Sequence, residues 1–352
     1  MAEDRSNDNR RRHSNRQKKS KPRRHGGPKK ESLLERHAEF DSKARGDALE
    51  RFDVNPLPMG IPEDHEPPRN FSFTWENNPV DLSTESILAK KVVRKGEFGW
   101  LSDERVDEIR QMVKELDMTL DQALSLRSAL LQQKTVYTHG RLQSRGKAIV
   151  RLYREGVGIV DLSVRFDSPP MNVFRLVLKE MGWSKSRIKE TLRAPSKFKQ
   201  RERNEFDAAE SADRVSNVDQ SETHERADLF EVILADWFED QGVRVRRQPE
   251  MVKEQTIEHG RPVNTPDLLF LDHVEINGET VAWIDAKHFY GADVDFQRKK
   301  ISKQSARYVD TWGQGALVFR HGFCKNIHIP GTVLLDCGPL DLSPLANFKQ
   351  VE

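Results

Sequence analysis

The sequence predicts an α/β domain at the C-terminus, preceded by an all-α helix-turn-helix region and a disordered basic N-terminal tail. Three observations carry that expectation. Apolar residues recur at helical spacing through residues 102–193, then alternate or gather in short runs beyond residue 243. Hydrophobic residues make up 36% of the chain and charged ones 32%, against an apolar share of about 45–50% in ordinary domains, so part of the chain must be solvated. Charge is also segregated behind a net of +2. There are 12 Lys/Arg against 3 Asp/Glu in residues 1–30, 14 against 21 in 31–135, 14 against 5 in 136–200, 3 against 6 in 201–220, and 15 against 21 in 221–352.

Residues 1–30 have no apolar periodicity and read as a disordered basic tail. The spaced clusters Arg10–Arg12, Lys18–Lys19 and Arg23–Arg24 resemble a nuclear localisation signal, which implies the nucleus, with the cytoplasm as a second location. Residues 31–100 read as mostly linker with one short helix over 31–51, because Pro-rich NPLPMGIPEDHEPP follows it. No apolar run approaches the roughly 20 residues that span a bilayer, and the two cysteines, Cys324 and Cys337, make no CxxC pair. A soluble intracellular protein is the expectation.

Residues 101–193 read as a helical, helix-turn-helix-like region for nucleic acid or a partner. Acidic residues 103–108 load the first turns of one helix, as a helix N-terminus favours, and Thr119 opens a second that runs to about residue 133. Residues 144–154, 160–166 and 169–181 give helix, short helix, turn and longer helix, the layout in which the last helix enters the major groove. Arg175 and Lys179 on that helix, and Lys185 on the next, are candidate phosphate contacts. A helical bundle for protein contacts would use the same stripes. Residues 194–220, polar and nearly free of aromatics, read as a linker.

Residues 221–345 form the mixed domain. A helix over 223–240 precedes strands at 243–248, 267–271 and 281–286, the last two joined by an Asn277-Gly278 hairpin turn. A basic helix over 296–312 and strands at 315–320 and 332–336 complete an α-β-β-β-α-β order with one extra strand. The hairpin lets Asp267 and Asp285 converge at paired strand ends. Such a pair suits a hard divalent cation. Asp285 and Lys287, two apart on a strand, share a face, where a lysine can position or deprotonate a water. Asp285 lies within the apolar run VAWIDA, where an unpaired carboxylate is costly, so a surface acid does not explain it. HxxCxxxH from His321 to His328 is a weak rival zinc pattern. No phosphate-binding glycine loop of the P-loop or dinucleotide type is present.

Pro266-Asp267 followed by Asp285-x-Lys287 resembles the PD-(D/E)xK nuclease motif, and TPDLLFLD, INGETVAWIDAKHFYG and WGQGALVFRHGF are together similar to the TPD-motif family of PD-(D/E)xK nucleases, which includes a codanin-interacting nuclease. The resemblance covers about residues 100–340 in organisation and 264–323 in motif detail. It implies a restriction-endonuclease-like fold, Mg²⁺ (or Mn²⁺) as cofactor, DNA as substrate with RNA still open, and a codanin-like protein partner. By position it implies Asp267, Asp285 and the Ala286 carbonyl as metal ligands and Lys287 as the catalytic lysine. A carboxylate on the first helix is expected from Glu225 or Glu231, with Glu231 slightly preferred, and Gln304 is expected near substrate. Arg298, Lys299, Lys300 and Lys303 on that helix are candidates for holding the nucleic-acid backbone. The function expected is a Mg²⁺-dependent DNA endo- or exonuclease acting on structured DNA, the alternative being a catalytically silent scaffold that binds nucleic acid and the partner. Lys287→Ala is expected to stop cleavage and leave the melting temperature near the parent's.

Overall fold

The computed structural model describes residues 32–215 and 221–348; the basic tail of residues 1–30 lies outside them. In chain order the elements are α1 (Leu33–Glu50), β1 (Asn70–Phe73), α2 (Leu82–Val92), α3 (Asp103–Lys114), α4 (Leu120–Ser144), α5 (Gly146–Arg154), α6 (Ile159–Phe166), α7 (Pro170–Glu180), α8 (Lys185–Arg193) and α9 (Gln200–Ser211). They continue with α10 (Ser221–Asp240), β2 (Val245–Arg247), α11 (Gln248–His259), β3 (Leu268–Ile276), β4 (Glu279–Lys287), α12 (Asp295–Trp312), β5 (Gly315–Phe319), β6 (Thr332–Leu335) and α13 (Ser343–Ala346). The fold is mixed α/β around a mostly parallel sheet. Among the described residues no helix is long and apolar enough to cross a membrane.

The sheet runs β1-β3-β4-β5-β6, and β2 also pairs with β3. β2 takes the Leu268–Phe270 half of one edge of β3 and β1 takes the His273–Ile276 half. β3 and β4 are an antiparallel hairpin, and its turn residues Asn277 and Gly278 have φ of 53° and 80°, the positive pair that a type I′ turn requires. α12 then crosses over to the parallel strand β5. Phe230, Leu234 and Phe238 of α10 pack on one sheet face with Phe270, Ile284 and Val318. Ala44 and Ala48 of α1 and Ile301, Tyr308 and Trp312 of α12 pack on the other with Leu269, Trp283 and Leu317.

Residues 31–100 are therefore not mostly linker. α1 begins with a capping box between Ser32 and Glu35, and its alanines let it lie close on the sheet domain, where the Ala44 carbonyl accepts the Gln314 N–H at 2.7 Å. β1 extends the sheet, and buried Trp75 donates its indole N–H to the Asp336 carbonyl at 3.0 Å. These partners lie 200 residues or more along the chain, beyond the reach of any local pattern. α11 is a further element that strand alternation leaves unforeseen; Pro249 in its first turn suits a helix start.

The helical segment divides between two cores. α2, α3 and the first half of α4 enclose Tyr290, Ala292 and Val294 from the β4–α12 connection, and Tyr290 donates its hydroxyl to Glu85 at 2.9 Å. The second half of α4 joins α5 to α9 in a separate cluster. α4 is one helix of 25 residues, continuing past residue 133 because no glycine or proline interrupts it until Gly140. Residues 194–220 are not simply linker either: α9 lays Phe206 and Ala209 against Phe174 and Phe198. Met171, Val173, Phe174, Leu176, Val177 and Leu178 of α7 are all buried, which makes it the central rod of its bundle, and a narrow stripe of Asn172, Arg175 and Lys179 is what it leaves toward the surface.

Candidate active site at the β3–β4 strand ends

Asp267 stands immediately before β3, and the register pairs Leu268 with Ile284, so one further step sets Asp267 opposite Asp285. Pro266 precedes it where no ladder N–H is needed. The loop carrying Thr265-Pro266-Asp267 is held from two sides. The Gln255 side-chain oxygen of α11 accepts the Val263 and Asn264 N–H groups at 2.7 and 3.0 Å, and the Asn264 amide donates to Thr311 of α12 at 2.9 Å. The Asp267 carboxylate then accepts two donors, the Ala286 N–H at 2.6 Å and the Gln248 side-chain amide at 2.9 Å.

Asp285 and Lys287 are buried, with 2% and 7% of their surface exposed, and form an ion pair with each other. Lys287 also donates to Gln304 Oε1 at 3.2 Å. A relay continues along α12: Gln304 Nε2 to the Tyr308 hydroxyl at 3.4 Å, and that hydroxyl to the Thr265 carbonyl at 3.2 Å. Gln304 and Tyr308 are four apart, one turn on the same helix face.

Burial, then the negative charges of Asp285 and Glu231, push the Asp267 carboxyl well above its usual range. Burial, then Asp228 and Asp285, raise Glu231 to about 7, with Lys287 opposing. Glu231 on α10 thus faces this cluster, whereas Glu225 is exposed. Burial and the nearby Asp285 raise Tyr308 to about 12.

The chemistry of these donors fits a hard divalent cation. Apart from its contact with the Lys287 ammonium, Asp285 Oδ2 is buried with no hydrogen-bond donor, and three carboxylates crowd together with a single lysine to offset them. Among the described residues no three His, Cys, Asp or Glu side chains already stand in ligating geometry; Asp285 turns to Lys287 instead.

The structure brings Asp267, Asp285, Ala286, Lys287, Glu231 and Gln304 together. Gln248 and Tyr308 join them unforeseen from sequence. The Gln-Pro step at a helix start and the i, i+4 spacing from Gln304 were their only signals. The basic residues are dispersed. Arg298 is taken up by Asp293 and Asp295, and Lys299 lies 3.6 Å from Asp295, while Lys300 and Lys303 are exposed. Arg175 is half-buried beside Asn172, Lys179 donates to Gln143 at 2.7 Å, and Lys185 is exposed on α8. The histidine and cysteine pattern also separates: His328 pairs with Asp41, Cys337 donates to the Arg320 carbonyl, and His321 lies 4.0 Å from Asp121.

No solved structure matches this chain. An uncharacterized protein of Acanthamoeba polyphaga mimivirus, L539, is 32% identical over 115 residues, which is 32% of this chain and 40% of that relative. The chain thus spans about two fifths of the curated relative it matches. Residues 198–337, which contain the whole cluster around Asp267, Asp285 and Lys287, match the family model described as a protein of unknown function with the TPD sequence motif.

Proposed function

We propose that this chain is a divalent-metal-dependent phosphodiesterase of the PD-(D/E)xK type that cleaves DNA, and that its sheet domain is restriction-endonuclease-like. The observation that supports this most is the opposition of Asp267 and Asp285 at adjoining strand ends, with Lys287 on the same face as Asp285. Asp267, Asp285, the Ala286 carbonyl and Glu231 would hold Mg²⁺ or Mn²⁺, which when bound supplies Lewis acidity at a phosphate oxygen. The Ala286 N–H and the Gln248 amide fix the Asp267 carboxylate, so its oxygens are oriented before any ligand arrives. Lys287 stands on the face that Asp285 presents, and Gln304 holds its side-chain nitrogen in place. Burial of the cluster strengthens each charge interaction in it.

The test is cleavage of branched, flapped, linear and single-stranded DNA in Mg²⁺ or Mn²⁺ by the parent and by Asp285→Asn. Metal-dependent cutting that Asp285→Asn abolishes supports the proposal. A parent that cuts none of these in either metal rejects it. The second reading, a silent scaffold for nucleic acid and a codanin-like partner, draws on the Asp285–Lys287 pairing, which occupies a ligand with a cation of the chain's own.

A further inference from the structure

Part of the positive charge of the helical segment gathers at the junction of α4, α5 and α6. A cavity of about 520 Å³ opens there, and Lys95, Arg141, Arg145, Arg151 and Arg165 line it. Arg151 is shared with a neighbouring cavity of about 470 Å³ that adds Lys147 and Arg154 together with the carboxylates Glu155 and Glu180. Asp167, the acid of the first cavity, is already satisfied by Lys134 at 2.8 Å and by the Gly96 N–H at 3.0 Å. Among the described residues Lys95, Arg141, Arg145 and Arg165 have no carboxylate within 4.0 Å, and Arg151 reaches only Glu155, exposed like itself, at 3.7 Å.

Like charges held within a Debye length of about 8 Å raise one another's energy, and a concave wall focuses that field. An anion entering it relieves the repulsion. The chemistry of the wall favours phosphate, because arginines dominate it and a guanidinium fork matches phosphate oxygens in a bidentate fashion. Its shape favours many phosphates over one. Lys147, Arg151 and Arg154 follow i, i+4, i+7 spacing on the exposed side of α5, across the helix from buried Ile149 and Tyr153. Seven residues at 1.5 Å each make that row about 10 Å long, a line of charge alongside a backbone whose phosphates rise about 3.4 Å per strand step.

We infer that the α4–α5–α6 surface is a backbone track for nucleic acid, gripping phosphates without reading bases, with Arg141, Arg145 and Arg151 at its centre. The inference rests on the reading of this chain as a nuclease for its choice of polyanion. It assigns substrate holding to residues outside the match at 198–337 and outside α7.

The experiment is fluorescence anisotropy of the full chain on labelled single-stranded and duplex DNA, in EDTA so that binding is read without cleavage, between about 50 and 200 mM salt. Replacing Arg141, Arg145 and Arg151 together with glutamine is expected to weaken binding at least about tenfold and to lower the log–log salt slope by nearly three. The melting temperature should hold, since all three side chains are exposed; if the triple variant does not fold, Arg145→Glu alone replaces it and should also weaken binding. Unchanged affinity and slope overturn the track, as does a loss seen only with Arg175→Gln/Lys179→Gln/Lys185→Gln. Saturable binding of inorganic tripolyphosphate that DNA does not compete with would also overturn it and mark a small-polyphosphate site. Metal-dependent cleavage is scored separately. Binding lost in the triple variant while the parent never cuts sinks the nuclease reading alone; cutting that persists with unchanged binding sinks the track alone.

Discussion

Asp267 Oδ2 accepts the backbone N–H of Ala286 at 2.6 Å, which ties the residue before β3 to the strand that carries Asp285 and Lys287. The bond compensates only part of what the site imposes on Asp267, since burial and the facing charges of Asp285 and Glu231 both oppose its ionisation. Asp267→Asn keeps an oxygen for that N–H and removes one of the crowded charges. Its melting temperature should equal or exceed the parent's, by about 1–2 kcal/mol of stability. Cleavage should fall by about 10²-fold or more, as loss of several kcal/mol of metal-borne charge stabilisation implies. Thermal denaturation alongside a cleavage assay checks both; a destabilised variant would contradict the repulsion described here.

Lys287 behaves differently from what its sequence context implies. Because it is buried against an Asp285 that is itself buried, Lys287→Ala strands a carboxylate without its cation, and breaking such a pair costs about 3–5 kcal/mol. The melting temperature should therefore drop, not stay near the parent's. Adding Asp285→Asn to Lys287→Ala should restore a large part of the loss. A double-mutant cycle by chemical denaturation measures the coupling, and additive effects would mean that the pair contributes little.

Glu231 makes stability depend on pH. Its carboxyl stands at about 7 in the folded chain, above the ordinary value near 4.3, so the folded state binds the proton more tightly than the unfolded one. Stability should then fall as pH rises from about 4 to 7 and stay reduced above that. In Glu231→Gln the decline should be shallower, though not absent, because Asp267 is shifted in the same direction. Melting curves at intervals from about pH 5 to 8 test this, and identical pH profiles for parent and variant would refute it.

Gly313 reports on the packing of α1. Its φ of 78° and ψ of −155° are open essentially to glycine alone, and an added Cβ would lie 2.2 Å from the Ala48 nitrogen and 2.6 Å from the Ala44 carbonyl. Gly313→Ala should destabilise by at least about 2 kcal/mol, measured by denaturant unfolding. A neutral result would mean that α1 is not seated on the sheet as described.

The chain's own order of residues determined much of the C-terminal domain. Asn-Gly with alternating neighbours specifies a tight hairpin, and period two sets Asp285 and Lys287 on one face, so the core of the candidate site was legible before any coordinates. These are local rules, acting over a few residues. Tertiary structure decided the rest. Gln248 and Tyr308 join the cluster because α11 and α12 pack against the same loop, and β1 and α1 complete a sheet domain whose remaining strands begin about 170 residues beyond β1. Helical periodicity foretold α7 and its inward Val173, Phe174, Val177 and Leu178, but not what covers them, which includes α9, a polar segment whose one phenylalanine, Phe206, counts only once it meets Phe174. The same physics separates charge composition from charge placement: the sum over residues 136–200 is readable in the sequence, but which cations remain without a carboxylate is decided by which neighbours the fold brings within reach.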